Sequence, residues 1–183
     1  QMVDSIRGVQ TAVQSNLPST GGAQAQGLSS FDSDGFTVGN LSDWNYNNDD
    51  INAYCWKAAT SNSTNTNGDV NSTVRANQTA GFSVVKATST ATSGNTSIGH
   101  GIGKNVDLIF ARNLAQSFNW DVWWRETGYT DTLRLNDATG TGDNWDLSEA
   151  GGWSIVIGPD DNGNSYLYRN FGNAFGASNQ FTL

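Results

Sequence analysis

Few residues in this chain are of the types that do chemistry, so each can be weighed singly. The one histidine, His100, sits in Gly99-His100-Gly101-Ile102-Gly103. A catalytic triad needs a base beside a nucleophile and an orienting acid, and a histidine metal site needs companions. Glycines on both sides point instead to a tight turn with unusual backbone angles, and His100 is read as part of that turn. Glycoside hydrolysis would need paired carboxylates a few ångströms apart across one groove. The two glutamates, Glu126 and Glu149, have no alternating acidic partner on a strand. Asp121 and Glu126 are five positions apart, so on one strand they point to opposite faces. No catalytic residue is assigned, and the expectation is a protein that is not an enzyme.

Calcium is the candidate cofactor. Asp160-Asp161-Asn162-Gly163-Asn164 puts the oxygen donors Asp160, Asn162 and Asn164 at alternate positions, the pattern of a calcium loop. Asp32 and Asp34 form a similar pair before Gly35. The competing reading is a hairpin turn, because Asn-Gly and Asp-Gly tolerate positive φ. The corresponding stretch Asn47 to Asp50 keeps the polarity without the spacing, and the turn is favoured. For ligand binding the tryptophans stand out. Trp120, Trp123 and Trp124 are expected on one strand, with Trp120 and Trp124 on one face and Trp123 on the other. One of those faces must be core. The other is a candidate sugar-stacking platform, a subunit contact or a second packed layer, and Trp120 and Trp124 are the candidate ligand-binding pair. Cys55, the single cysteine, is read as a small buried hydrophobe that cannot form an internal disulfide.

These residues need elements to hold them, and composition says which kind. The 183 residues carry 9 Lys plus Arg against 17 Asp plus Glu, a net charge of -8, with 11% aromatics and only 14% charged residues. The scattered cations form no basic stripe, so nucleic acid is excluded as a partner. No uncharged apolar run approaches the ~18 residues of a membrane span, and no basic-then-apolar leader opens the chain, so membrane insertion is not expected. Area scaling buries ~70% of the unfolded surface, enough for a core without staples. Long helices usually carry many Glu, Lys, Arg, Ala and Leu, which are sparse here. The class is all-β.

Short apolar runs bounded by Gly or Asn/Asp turns fall at Phe36 to Leu41, Ile51 to Trp56, Phe82 to Val85, Val106 to Ala111 and Asn119 to Arg125. Thr132 to Leu135, Trp153 to Ile157 and Ser165 to Tyr168 continue the series. Spacing of roughly 8–15 residues with turns between is that of a sandwich or barrel. At the start, Val3, Ile6, Val9 and Val13 fit a short helix. A hairpin turning at Gly8 fits them as well, and the internal repeat favours it.

That repeat is long. Gly8, Val13 and Asn16 match Gly128, Leu133 and Asn136, while Gly35-Phe36-Thr37 matches Gly152-Trp153-Ser154. Tyr54-Cys55-Trp56-Lys57 matches Tyr166-Leu167-Tyr168-Arg169. A period above ~100 residues means duplicated domains rather than a solenoid. The expected organisation is residues 1–58 as the trailing half of a first repeat, 59–79 as a polar linker and 80–183 as a complete domain. On this reading the chain begins inside a repeat, and Gln1 is not a natural start. Strand edges in residues 1–58 then need covering by the second domain or by another chain.

Three stretches carry a resemblance: "FDSDGFTVGN…INAYCWKA" (Phe31 to Ala58), "STVRANQTAGFSVV" (Ser72 to Val85) and "IGHGIGKNVDLIFARN" (Ile98 to Asn113). Together they resemble a marine bacteriophage virion family with tandem concanavalin-A-like, or laminin-G-like, jelly-roll domains. That family is best known from cyanophage and pelagiphage tail-fibre and appendage genes. The chain departs from its pattern at Asn105-Val106, where an Ala-Pro is usual, and at Tyr168-Arg169-Asn170-Phe171. The resemblance implies an all-β jelly-roll sandwich located in the virion, in the extracellular particle. It implies a structural protein, first a tail-fibre or appendage module in host attachment and second a capsid decoration protein. A carbohydrate-binding module of a secreted protein is the third reading. The implied partners are other virion subunits, further copies of the chain in a homo-oligomer such as a trimer, and a host surface glycan.

Overall fold

A computed structural model describes residues 1–88, 95–104, 106–115, 117, 119–124, 126, 133–135, 166–170 and 180–182. These residues form short antiparallel strands and no α-helix, so the chain is all-β, as its composition implies. A ribbon joins β1 (Thr11–Ala12) to β2 (Gly22–Ala23), and another joins β3 (Leu28–Phe31) to β4 (Phe36–Val38). The main sheet contains β5 (Ser63–Asn65), β6 (Ser72–Asn77), β7 (Phe82–Thr88), β9 (Leu108–Asn113), β10 (Asp121–Trp124), β11 (Leu133–Arg134) and β13 (Gln180–Thr182). Its seven strands run in the order β11-β10-β9-β13-β7-β6-β5, every neighbouring pair antiparallel. β8 (Asn95–Gly99) pairs with β12 (Tyr166–Asn170) outside that sheet.

The start of the chain is a hairpin, not a helix. Met2 and Val13 exchange N–H···O bonds of 2.8 and 3.0 Å, and Gly8 turns the chain with φ 93°. The Asp4 carboxylate holds the turn by accepting the Ile6 and Arg7 N–H groups at 2.9 and 2.8 Å and pairing with the Arg7 guanidinium. Such Asx bonding satisfies turn donors locally. At the β3–β4 turn, the Asp32 carboxylate accepts the Ser30 and Thr37 hydroxyls, each at 2.8 Å. Asp32 therefore serves the turn.

Register separates the two faces of the main sheet. On one face lie Asn65, Ser72, Val74, Val85 and Ala87, all buried. The Gly99–Ile102 turn packs there: the Ser72 hydroxyl donates to the Gly99 carbonyl at 3.1 Å, and Ile98, His100 and Ile102 are buried beside it. On the other face lie Thr73, Arg75, Asn77, Phe82, Val84 and Lys86. Lys86 and Arg112 both sit opposite Thr182, so Arg112 and its alternate neighbours Phe110 and Leu108 share that second face. The N-terminal residues cover part of it.

Residues 59–79 were expected to be a polar linker, yet they hold β5 and β6, two strands of the main sheet. The polarity misleads because small polar groups face inward and are satisfied there. Ser72 bonds Gly99, and the Asn65 side-chain oxygen accepts the Asn67 N–H at 2.9 Å. Ile51 to Trp56, expected to be a strand, has no ladder partner among the described residues and lies exposed. Cys55, expected in the core, is exposed with it. Of the second-copy repeat words, Tyr166 to Arg169 is described, and it forms strand β12. Gly128, Asn136 and Gly152-Trp153-Ser154 lie outside the described residues.

One carbonyl joins the N-terminal layer to the sheet. The Gln14 oxygen accepts the Trp120 indole N–H at 2.8 Å and an Arg112 guanidinium N–H at 3.2 Å, while the same Arg112 nitrogen reaches the Leu17 carbonyl at 3.0 Å. Arg112 also lies over the Trp120 ring, 5.3 Å from its centroid. Replacing Trp120 by Phe keeps most of the ring and deletes the donor, leaving a part-buried carbonyl with one partner fewer. The expected loss is ~1–2 kcal/mol in a urea melt. Limited proteolysis should also reach residues 1–17 earlier in the variant; unchanged stability and cleavage would dismiss the tether.

Candidate functional site

The second sheet face changes character along β9 and β10. Arg112 and Trp120 are buried at one end, under Gln14 and Leu17. Val122, opposite Phe110, is buried in the middle. Trp124 and Leu108, directly opposite each other at the far end, are 46% and 49% exposed. Trp120 and Trp124 thus follow the expected alternation but do not form a pair: one is anchored in the core, the other stands at the surface. Trp124 also has interactions of its own there.

At the same end of this face, an exposed segment runs past the β6–β7 turn. Tyr54 and Trp56 have ring centroids 6.5 Å apart, and Trp56 and Phe82 6.1 Å, with planes 24° and 21° from parallel. The Asn77 side-chain amide donates to the Lys57 carbonyl at 3.1 Å and pins the segment to the end of β6. Tyr54 remains 83% exposed and Trp56 61%. Because β7 and β9 flank β13 with Lys86 and Arg112 level, Phe82 and Leu108, each four residues earlier, are level too. Tyr54, Trp56, Phe82, Leu108 and Trp124 therefore lie toward one end of the same sheet face, an apolar band of two groups, with Ile51 exposed in the same segment as Tyr54 and Trp56. Sequence reasoning looked for binding in the Trp120 strand and placed Tyr54 and Trp56 on an open edge without treating them as a site. Their alternation straight after the polar run Asn47 to Asp50 was the available signal.

A second feature lies on the opposite face. Asn65, Gln78, Gly101 and Gly103 border a shallow cleft of about 410 Å³ with Ser63 and Thr64 on its rim. Its groups are neutral hydroxyls and amides, chemistry suited to a sugar more than to an ion. His100 sits in the turn behind it, buried, with its Nδ1 accepting the Ile102 N–H at 3.3 Å. That bond leaves the proton on Nε2, which is buried without a hydrogen-bond partner. The candidate calcium ligands Asp160, Asn162 and Asn164 lie outside the described residues. Among the described residues no group of three or more His, Cys, Asp or Glu gathers as a metal site.

The family match spans both features. A family model, described as Domain of unknown function (DUF7483), matches residues 1–178. The chain belongs to the DUF7483 family. The match runs through residues 1–58 and 59–79 and most of 80–183, the three expected segments, as one family unit. No curated protein and no solved structure matches the chain.

In this DUF7483 chain, burial pushes the His100 imidazole down to about 4. The folded state then holds this group neutral while the unfolded state protonates it near pH ~6.5. Its contribution is present above pH ~6.5 and is lost as pH falls toward ~4, by about 3 kcal/mol in all. His100→Gln removes this titration. Denaturant midpoints measured across that window should fall more steeply with acid for the parent than for the variant; parallel curves would refute a buried neutral imidazole.

Proposed function

We propose that this protein is a non-enzymatic structural module of a bacteriophage virion, placed in a tail fibre or appendage that contributes to host attachment. The observation that carries the reading is the apolar band with the exposed 51–57 segment beside it. Contiguous exposed aromatic surface is what an assembly subunit keeps for its neighbours. The resemblance of the Phe31–Ala58, Ser72–Val85 and Ile98–Asn113 stretches to phage virion proteins supplies the location. The antiparallel sheet is compatible with a concanavalin-A-like jelly roll, and the repeated words support a duplicated origin. The partners on this reading are other virion subunits and further copies of the chain. Capsid decoration uses the same properties at a different place on the particle. A glycan-binding role is favoured by a separate observation, the neutral cleft at Asn65 and Gln78.

Electron microscopy of particles labelled with an antibody to this chain distinguishes these readings. Label along tail appendages is the expected result. Label over the shell would transfer the protein to capsid decoration, and unlabelled particles would end the virion reading. A glycan array run with and without calcium addresses the cleft, where binding that Gln78→Ala abolishes is expected if sugar is the ligand.

A further inference from the structure

We infer that Ile51–Trp56 is an assembly strand, which a second copy of this chain covers by pairing with its backbone and packing on the apolar band. The inference rests on the structural reading above and adds the surface and its occupant. Three independent observations lead to it.

The first is the backbone. Residues 45–57 are all exposed, and no hydrogen bond among the described residues engages Ile51 to Trp56. Open N–H and C=O groups beside apolar side chains are a template for another strand. The second is the internal repeat. Tyr54-Cys55-Trp56-Lys57 corresponds to Tyr166-Leu167-Tyr168-Arg169, and that later stretch is a strand, β12, laddered residue for residue onto β8. The sequence word is thus strand-forming where a partner is present, and the earlier copy of it has none among the described residues.

The third is area. Ile51, Tyr54, Trp56, Leu108 and Trp124 are 54%, 83%, 61%, 49% and 46% exposed. With ~200 Å² for a whole aromatic side chain and somewhat less for an aliphatic one, the band offers ~500 Å² of apolar surface. A standard interface takes ~800 Å² from each partner, ~65% of it apolar in homodimers, so the band matches the apolar core of one partner's share. The band itself has no charged member; Asp50 and Lys57 flank the segment and stay at the rim, where a charge keeps its water. A sugar fits less well. Trp56 spends its ring on Tyr54 and Phe82, and Ile51 and Leu108 have no ring to stack on.

Sedimentation of the 183-residue chain over a range of concentrations tests this. The parent should associate to one defined stoichiometry. The Tyr54→Asp/Trp56→Asp variant should stay monomeric over the same range, with its circular dichroism unchanged because neither side chain is buried. The thiol of Cys55, between the two aromatics, reports locally: its alkylation should slow several-fold as the parent associates. A parent that remains monomeric, that aggregates without a defined stoichiometry, or that associates equally well as the variant would overturn the inference. So would association that leaves Cys55 as reactive as in the monomer. Antibody labelling of tail appendages with a monomeric parent would overturn this inference alone and leave the virion reading standing.

Discussion

The described architecture depends on a buried cation held by carbonyls. Arg112 lies within the fold with no carboxylate partner among the described residues; its Nη1 donates to the Gln14 and Leu17 carbonyls and the guanidinium lies over the Trp120 ring, while Nε and Nη2 are buried without a hydrogen bond. Burial, and secondarily the charge of Arg7, lowers its pKa from the ordinary guanidinium value. A buried charge is tolerable only when fixed dipoles replace its water. That requirement makes the tether directional. The N-terminal layer has to present its carbonyls where the guanidinium ends, so residues almost a hundred positions apart are locked in one arrangement. The same clamp decides which end of the sheet face is core and which is left open.

Seen this way, the band and the clamp are two ends of one surface. Coverage by residues 1–17 stops short of Leu108 and Trp124, and the segment carrying Tyr54 and Trp56 lies at the remaining edge with its rings outward. The fold keeps one end of a sheet face sealed and offers the other. Fold membership in DUF7483 extends over both ends, because the matched residues begin at Gln1 and run past the last strand of the β8–β12 pair. The N-terminal layer belongs to the family unit as much as the sheet does.

The all-β class, the hairpin at Gly8 and the turn role of Asp32 were legible from residues, because local turn chemistry decides them. β7 and β9 were legible too, since each reads as an apolar run after a turn. Two things were not. Residues 59–79 hide strands because their inward groups are Ser72 and Asn65, whose polarity is satisfied by bonds to residues distant in sequence or by a local turn. The split fate of Trp120 and Trp124 was also invisible. Alternation puts both on one face, but which part of a face is covered depends on where Gln14 and Leu17 arrive, and no short-range pattern encodes that. Cys55 was misjudged for the same reason: an apolar run suggests burial only if something comes to cover it.

The sheet order has a temporal consequence. β13 lies between β7 and β9 although it follows every other described strand in sequence, so this central place in the sheet is filled after both its neighbours have been made. Until it arrives, β7 and β9 each carry an unsatisfied edge, and loop closure over roughly ninety positions must precede the reward of pairing. Such a polypeptide emerges from the ribosome as two separate halves with sticky inner margins, and folds slowly through a stage at which neighbouring nascent copies compete for the vacant slot.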